Sequence, residues 1–84
     1  MNWRDRIAFD PQILDGKPTV RGTRIAVELL FERLADGWTS EDLRASYPGV
    51  SDDDLRAVFG FAAEIVRQMR DWGPKSPSAI KLDN

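Results

Sequence analysis

Hydrophobic side chains recur at a helical period from about residue 26 onward. Val27, Leu30, Phe31 and Leu34 occupy positions i, i+3, i+4 and i+7, so they lie on one face of a helix. Gly37 follows this run, and glycine readily adopts the left-handed conformation that ends many helices. The pattern predicts a first helix that packs a single apolar stripe against a core.

Two further helices are predicted from their capping residues. Thr39 and Ser51 each precede a helical pattern, and an aspartate stands three residues after each of them, as in a variant of the capping box. The second helix is short, with Leu43 and Tyr47 on its inner face, and Pro48-Gly49 ends it. The third helix begins after Ser51 and is the longest of the three.

The third helix carries more apolar residues than one core face can hold. Its predicted inner face consists of Leu55, Val58, Phe59, Ala62, Ile65 or Val66, and Met69. Phe61, Ile65 and Trp72 form a second apolar line beside that face, and Gly60 indicates the close approach of another backbone. We expect this second line to bind another protein surface, most simply a second copy of the chain, which predicts a homodimer. Gly73-Pro74 is the predicted end of the helix.

The first 25 residues favour short extended segments over helices. The run from Arg6 to Phe9 alternates polar and apolar residues, and Asp10-Pro11 breaks it. Asp15-Gly16 marks a second turn, after which Pro18 and Val20 belong to another extended piece. These features predict a small β hairpin.

Together the elements predict a mainly α fold, in which a three-helix unit with helix-turn-helix proportions follows a short N-terminal β hairpin. Residues 1–25 form the β element, residues 26–72 the tri-helical unit and residues 73–84 a C-terminal tail, all within one compact domain. In the tail, Ile80 and Leu82 alternate around Lys81 as in a strand, so both residues are candidate partner contacts. The alternatives are a solvated end or a tail folded back over its own dimer.

The composition excludes several kinds of site. The 84 residues contain no cysteine and no histidine, which removes thiolate zinc ligands, a cysteine nucleophile and the usual general base. We therefore expect no enzyme activity, no catalytic residue, no metal and no cofactor. No apolar run approaches the roughly 20 residues of a membrane helix, and the first residues do not resemble a signal peptide. A cytoplasmic protein without membrane contact is expected.

Charge is distributed unevenly along the chain. The net charge is −2, but residues 27–64 contain nine acids and three arginines, while both ends are net positive. A polyanion would therefore prefer the ends to the middle. The basic residues nearest the turns and the second and third helices are the candidate DNA contacts: Arg21, Arg24, Arg44 and Arg56.

Two observations leave DNA binding open at this stage. The segment Lys17–Arg24 could present its arginines to phosphate, or it could be a packing segment whose arginines pair with the acidic middle. Asp52-Asp53-Asp54 would repel phosphates at the start of the third helix. We interpret these aspartates as groups that complement the helix dipole, with a magnesium site as the alternative.

Several motifs resemble the signature of a bacterial protein family, the domain-of-unknown-function family numbered 433. The N-terminal part of the resemblance consists of Asp10-Pro11, the run Gly16-Lys17-Pro18-Thr19-Val20-Arg21-Gly22-Thr23-Arg24-Ile25, and Val27. The remaining part consists of Leu34-Ala35-Asp36-Gly37-Trp38, Tyr47-Pro48, and Ser51 with Asp54-Leu55. The resemblance covers roughly residues 6–66.

Members of that family are small homeodomain-like helix-turn-helix proteins with an N-terminal β element, and some resemble antitoxins of the VapB type, which are encoded beside a PIN-like ribonuclease toxin. The resemblance implies toxin neutralisation and repression of the shared operon, and it provides no catalytic residue to transfer.

Two hypotheses follow. The first is an antitoxin-like protein of a type II toxin-antitoxin system, a dimer that binds a PIN-like ribonuclease toxin and operator DNA. The second is a protein-interaction module that dimerises and binds a protein partner without affinity for DNA.

Overall fold

Three α-helices follow a two-stranded antiparallel sheet in this computed structural model, which describes residues 2–69. The strands and α-helices in chain order are β1 (Ile7–Ala8), β2 (Thr19–Val20), α1 (Val27–Ala35), α2 (Ser40–Ser46) and α3 (Asp52–Gln68). Two short 3-10 helices, Trp3–Asp5 and Leu14–Gly16, lie before and after β1, where the sequence pattern predicts only extended segments. In the sheet, Ile7 is paired with Val20 and Ala8 with Thr19. The prediction of a mainly α fold with a short N-terminal hairpin is confirmed. The predicted end of α3 at Gly73-Pro74 and the predicted tail lie outside the described residues.

The hydrophobic core takes side chains from both strands, from all three helices and from the turn before α3. Its buried members are Ile7, Val20, Val27, Leu30, Leu43, Val50, Leu55, Ala57 and Val58. Phe31 and Leu34, the other members of the predicted stripe of α1, are half-buried against this core. The apolar period of α1 therefore does identify its inner face.

The hairpin positions the start of α1. Ala26, the residue before α1, provides no side-chain cap. Instead, the Val27 N–H donates to the Pro18 carbonyl at 2.9 Å, and Thr19 forms an isolated bridge with Ala26. Strand-type hydrogen bonds thus occupy a helix end that would otherwise leave free N–H groups. At the other end, Gly37 adopts a φ of 97°, as predicted for a left-handed stop.

Both predicted capping boxes are present, in different surroundings. The Thr39 N–H donates to Asp42 Oδ2 at 2.8 Å, and the Asp42 N–H donates to Thr39 Oγ1 at 3.0 Å. The hydrogen bonds from the Thr39 backbone and side chain lower the pKa of the exposed Asp42 carboxyl below its ordinary value of 3.8. Ser51 and Asp54 make the same reciprocal pair, at 3.0 and 3.1 Å, but Asp54 is buried.

Asp54 also joins the N-terminal segment to α3. Arg6 Nη1 lies 3.1 Å from Asp54 Oδ1, and Arg6 Nη2 lies 3.6 Å from Asp53 Oδ2. The side chain of Asp54 is only 13% exposed, so the ion pair is partly shielded from water. The strand that begins next to Arg6 is thereby held against the first turn of α3.

An aromatic cluster of Trp3, Phe9 and Phe61 continues this contact along α3. The ring centroids of Trp3 and Phe61 are 4.9 Å apart, and those of Phe9 and Phe61 are 5.8 Å apart. A Cβ built on Gly60 would lie 3.5 Å from the Cβ of Trp3. The close neighbour of Gly60 is therefore the Trp3 side chain, and the expectation of another backbone at that position is wrong.

We expect Gly60→Ala to stabilise the protein by about 0.5–1 kcal/mol. The added Cβ meets Trp3 at an ordinary van der Waals distance, and alanine is the better helix former by about that amount. Urea unfolding measures the change. Ala63→Gly, on the exposed side of the same helix, should give a loss of similar size. A loss of stability in Gly60→Ala would show that the Trp3 contact has no room for a methyl group.

The two capping aspartates provide a second, matched prediction. Asp54→Ala removes both the cap of α3 and the partner of Arg6, so we expect a loss of about 2–3 kcal/mol in unfolding free energy. Asp42→Ala removes an equivalent cap at an exposed position that has no ion pair within residues 2–69, and its loss of unfolding free energy should be clearly smaller. Thermal and urea unfolding of both variants test this. Equal losses would mean that the Arg6–Asp54 contact contributes nothing beyond capping.

Candidate interaction site

The outward face of α3 is an exposed apolar surface, which we call the α3 stripe. It consists of Phe59, Ala62, Ala63, Val66 and Met69, at positions i, i+3, i+4, i+7 and i+10. Phe59 is 54% exposed, Val66 67% and Met69 43%. Large apolar side chains placed singly on a surface are ordinary, but several in register along one helix form a contiguous patch.

The stripe is exposed because α3 is longer than the core that supports it. The buried residues of this 17-residue helix are Asp54, Leu55, Ala57 and Val58, all in its first half. In the described part of the helix from Phe59 to Met69, every side chain is half-buried or exposed. The two shorter helices and the hairpin cover the first turns only, so the second half of α3 presents its apolar residues to solvent.

The structure assigns the faces of α3 differently from the sequence pattern. Phe59 and Met69, predicted to point inward, are exposed, and so are both Ile65 and Val66, the two alternatives for a further inward position. Phe61, predicted to point outward, is half-buried against the core. The physical reason is the N-terminal segment, because Trp3 and Phe9 cover Phe61. Ile65 is 43% exposed and remains a candidate interface residue. Trp72, Ile80 and Leu82 lie outside the described residues.

Arg21, a candidate DNA contact, is engaged with the backbone of the N-terminal segment. Its guanidinium donates to the carbonyl oxygens of Asp5 and Arg4 at 3.1 Å each and to that of Ile7 at 3.3 Å. The planar, charged guanidinium carries several N–H donors, so this one side chain can bind three backbone carbonyl oxygens at once. Arg21 thus contributes to holding the N-terminal segment against the hairpin.

Arg44 and Arg56 each pair with an aspartate of the acidic triplet at the start of α3, which partly neutralises them. Arg44 forms an ion pair with Asp52, and Arg56 Nη1 lies 3.2 Å from Asp53 Oδ1. Both pairs are exposed, so each contributes little to stability, but the local charge is balanced. The surface around the start of α3 is therefore not strongly basic.

Arg24 differs from the other three arginines. It is exposed, and within residues 2–69 it forms no ion pair. Lys17, in the same segment, pairs with Glu28 at 3.5 Å. The structure therefore pairs Arg44 and Arg56 with separate aspartates of α3, places Arg21 against the N-terminal segment and leaves Arg24 directed to solvent.

Sequence reasoning missed Arg6 and the α3 stripe. The unequal charge of the ends and the middle indicated that basic residues of the N-terminal part could pair with acids, but it did not select Arg6. Nothing in the helical period distinguishes Phe59 from Phe61, because both sides of α3 are apolar. Trp3 was the available signal, since a large aromatic side chain so near the N-terminus needs an apolar partner.

The described residues hold neither a metal centre nor a membrane span. Among them, no group of three or more acidic side chains could hold a metal ion. No described helix is long and apolar enough to cross a membrane. Asp52, Asp53 and Asp54 each have an arginine partner, which agrees with a structural role for the triplet.

Comparison with known proteins identifies relatives of the chain. The model of a family described as "Protein of unknown function (DUF433)" matches residues 7–62. The chain is also similar to a DUF433 member protein from Anabaena variabilis, known from a crystal structure, with 29% identity and a TM-score of 0.70. The match covers 79% of this chain and 65% of that one, so the chain spans about two thirds of that relative's length. Among curated proteins, none matches.

The different surroundings of Arg21 and Arg24 predict different effects on stability. Arg21→Ala removes three hydrogen bonds to carbonyl groups, and we expect a loss of about 1–2 kcal/mol in unfolding free energy. Arg24→Ala should change stability by less than about 0.5 kcal/mol, since the residue is exposed. Urea unfolding of the two variants measures both values. Equal effects would contradict the structural role of Arg21.

Proposed function

This chain belongs to the DUF433 family of proteins of unknown function, and we propose that it is a non-catalytic, antitoxin-like protein that acts by binding other protein chains. The observation that carries the proposal is the α3 stripe, a patch of exposed apolar side chains on the longest helix. Water-exposed apolar patches of this kind typically mark protein-binding surfaces.

The electrostatics of α3 support protein binding over insertion of this helix into DNA. In a helix-turn-helix protein, the first residues of the recognition helix contact the DNA. Here those residues include Asp52 and Asp53, both at the surface, and the next exposed residues are Arg56, which pairs with Asp53, and Phe59. Carboxylates repel phosphates, and a stripe of apolar side chains makes few contacts with base edges.

The heterologous partner that fits best is a PIN-like ribonuclease toxin of a type II toxin-antitoxin system. This part of the proposal follows from the likeness of some family members to VapB-type antitoxins. A small protein that acts by binding alone suits such a role, because stoichiometric binding is enough to inhibit an enzyme. No chemistry of its own is required of the antitoxin.

Operator DNA binding is a second candidate, and Arg24 is the observation that favours it. Arg24 is the one of the four candidate arginines that has no ionic partner within residues 2–69 and is not fixed to the backbone. Gly22, two residues earlier, adopts a φ of 84°, so Arg24 follows a tight turn at the surface. A phosphate contact there would use the hairpin end and not the start of α3.

We expect the full-length protein to inhibit the ribonuclease encoded by the adjacent reading frame at a stoichiometric ratio. The adjacent frame is cloned first, its product is assayed on RNA, and the protein is titrated into the assay. A PIN-like product that is inhibited at one equivalent supports the proposal. An adjacent frame without ribonuclease activity, or a ribonuclease that is not inhibited, contradicts the antitoxin role.

The same preparation tests the DNA candidate. In an electrophoretic mobility shift assay with the upstream DNA, binding should weaken as the salt concentration rises. If Arg24 contacts a phosphate, the slope of the binding constant against salt should fall by about one unit in Arg24→Ala. Arg24→Lys, which keeps the charge, is the matched control and should retain the slope. Absence of a shift at micromolar protein concentrations excludes operator binding and leaves protein binding as the sole activity.

A further inference from the structure

The α3 stripe is nearly symmetrical about its own midpoint. Ala62 and Ala63 lie at the centre, and Phe59 and Val66 lie at equal distances along the helix on either side. Met69 extends the stripe by about one turn toward the C-terminal end of α3. Along the helix in either direction, the stripe presents a large side chain, then small ones, then a large one. Such a surface is complementary to a copy of itself rotated by 180°.

We propose that a second copy of the chain covers this stripe, with the two α3 helices antiparallel and a two-fold axis beside Ala62 and Ala63. This inference rests on the proposed function, because it takes the stripe as a protein-binding surface. It adds the identity of the bound protein, which is a second copy of the chain. In this arrangement Phe59 of each copy packs against Val66 of the other. The alanines let the two helix axes approach closely where they cross.

A recess at one end of the stripe fits this arrangement. It has a volume of about 270 Å³ and lies between the first turns of α2 and α3, lined by Ser40, Asp52, Leu55, Arg56 and Phe59. Antiparallel pairing places Met69 of the other copy at this end of the helix. Methionine is unbranched and flexible, so it can fill an irregular recess of this kind.

The charges of α3 favour the antiparallel direction. Its first turn contains Asp52, Asp53 and Asp54, and its last turn contains Arg67, which pairs with Glu64 of the same helix at 2.8 Å. Antiparallel helices keep the two acidic ends apart and oppose the two helix dipoles. Parallel helices would bring the two acidic ends together. The stripe itself contains no ionisable residue, so no charge is buried at the centre.

The size of the surface sets the expected strength of association. A standard stable interface buries about 800 Å² of each partner, and one face of a short helix provides less than that. We therefore expect a reversible dimer with a dissociation constant in the micromolar range rather than an obligate one. The protomer has its own core, so it should remain folded when the dimer dissociates.

Sedimentation velocity on the full chain, from micromolar to near-millimolar concentration, tests the proposal. We expect the wild type to shift from monomer to dimer across this range. Phe59→Glu and Val66→Glu should each raise the dissociation constant by about tenfold or more, because each places a charge in the contact. Gln68→Glu, an exposed position of α3 outside the stripe, is the matched control and should leave association unchanged. Circular dichroism shows whether each variant is folded.

Disulfide trapping tests the geometry independently of variants that weaken binding. The chain contains no cysteine, so a single introduced thiol reports on one position. Ala63→Cys lies beside the proposed axis, where two Cα atoms can come within the roughly 7 Å that a disulfide spans, and mild oxidation should give a covalent dimer. Gln68→Cys should stay monomeric under the same conditions.

The outcomes separate this inference from the proposed function. A wild type that is monomeric throughout, a dimer unaffected by Phe59→Glu, or cross-linking at residue 68 and not at 63 overturns the inference. If the wild type is monomeric and Phe59→Glu abolishes inhibition of the ribonuclease, the stripe binds the toxin and the proposed function stands. A dimer that fails to inhibit the ribonuclease overturns the antitoxin role alone.

Discussion

The carboxylate of Asp54 holds the N-terminal segment against the first turn of α3. It accepts the Ser51 N–H and thereby starts α3, and it accepts a charged hydrogen bond from Arg6, which precedes β1. Because Asp54 is buried, neither contact can be exchanged freely for water. The position of the N-terminal segment on α3, and therefore the covering of Phe61 by Trp3 and Phe9, depends on this group. The same contact decides which side of α3 stays in solvent.

The acidic triplet illustrates how consecutive residues of one type can have separate roles. Successive helical side chains point about 100° apart, so Asp52, Asp53 and Asp54 face three directions. Asp52 meets Arg44 of α2, Asp53 meets Arg56 within α3 and also lies near Arg6, and Asp54 is turned inward. The triplet therefore distributes its charge over three elements and does not form a single anionic site. This distribution balances most of the arginines near α3 and leaves the apolar stripe as the distinctive surface of that helix.

Local features of the fold could be predicted from the sequence, whereas features that depend on distant contacts could not. The two capping boxes involve residues three positions apart, and only one face of α1 is apolar. The sequence pattern and the structure therefore agree for these features. In α3 the apolar residues surround most of the helix, and the period alone cannot choose between Phe59 and Phe61 as the inner residue. That choice is made by Trp3, more than fifty positions away. The roles of the arginines are also set by tertiary contacts, since Arg21 and Arg24 belong to the same short motif but have different surroundings.

The separation of Arg6 from Asp54 also constrains the order in which the chain can fold. The ion pair joins residues 48 positions apart, whereas each capping box closes over three. Closing the longer loop costs more chain entropy, so local helices form before the N-terminal segment docks. During synthesis Arg6 is added well before Asp54, so its ionic partner is made only when α3 begins. A nascent chain that has not yet reached α3 therefore keeps Trp3 and Phe9 in water, where they form an aromatic surface open to chaperones and proteases until Phe61 has been made.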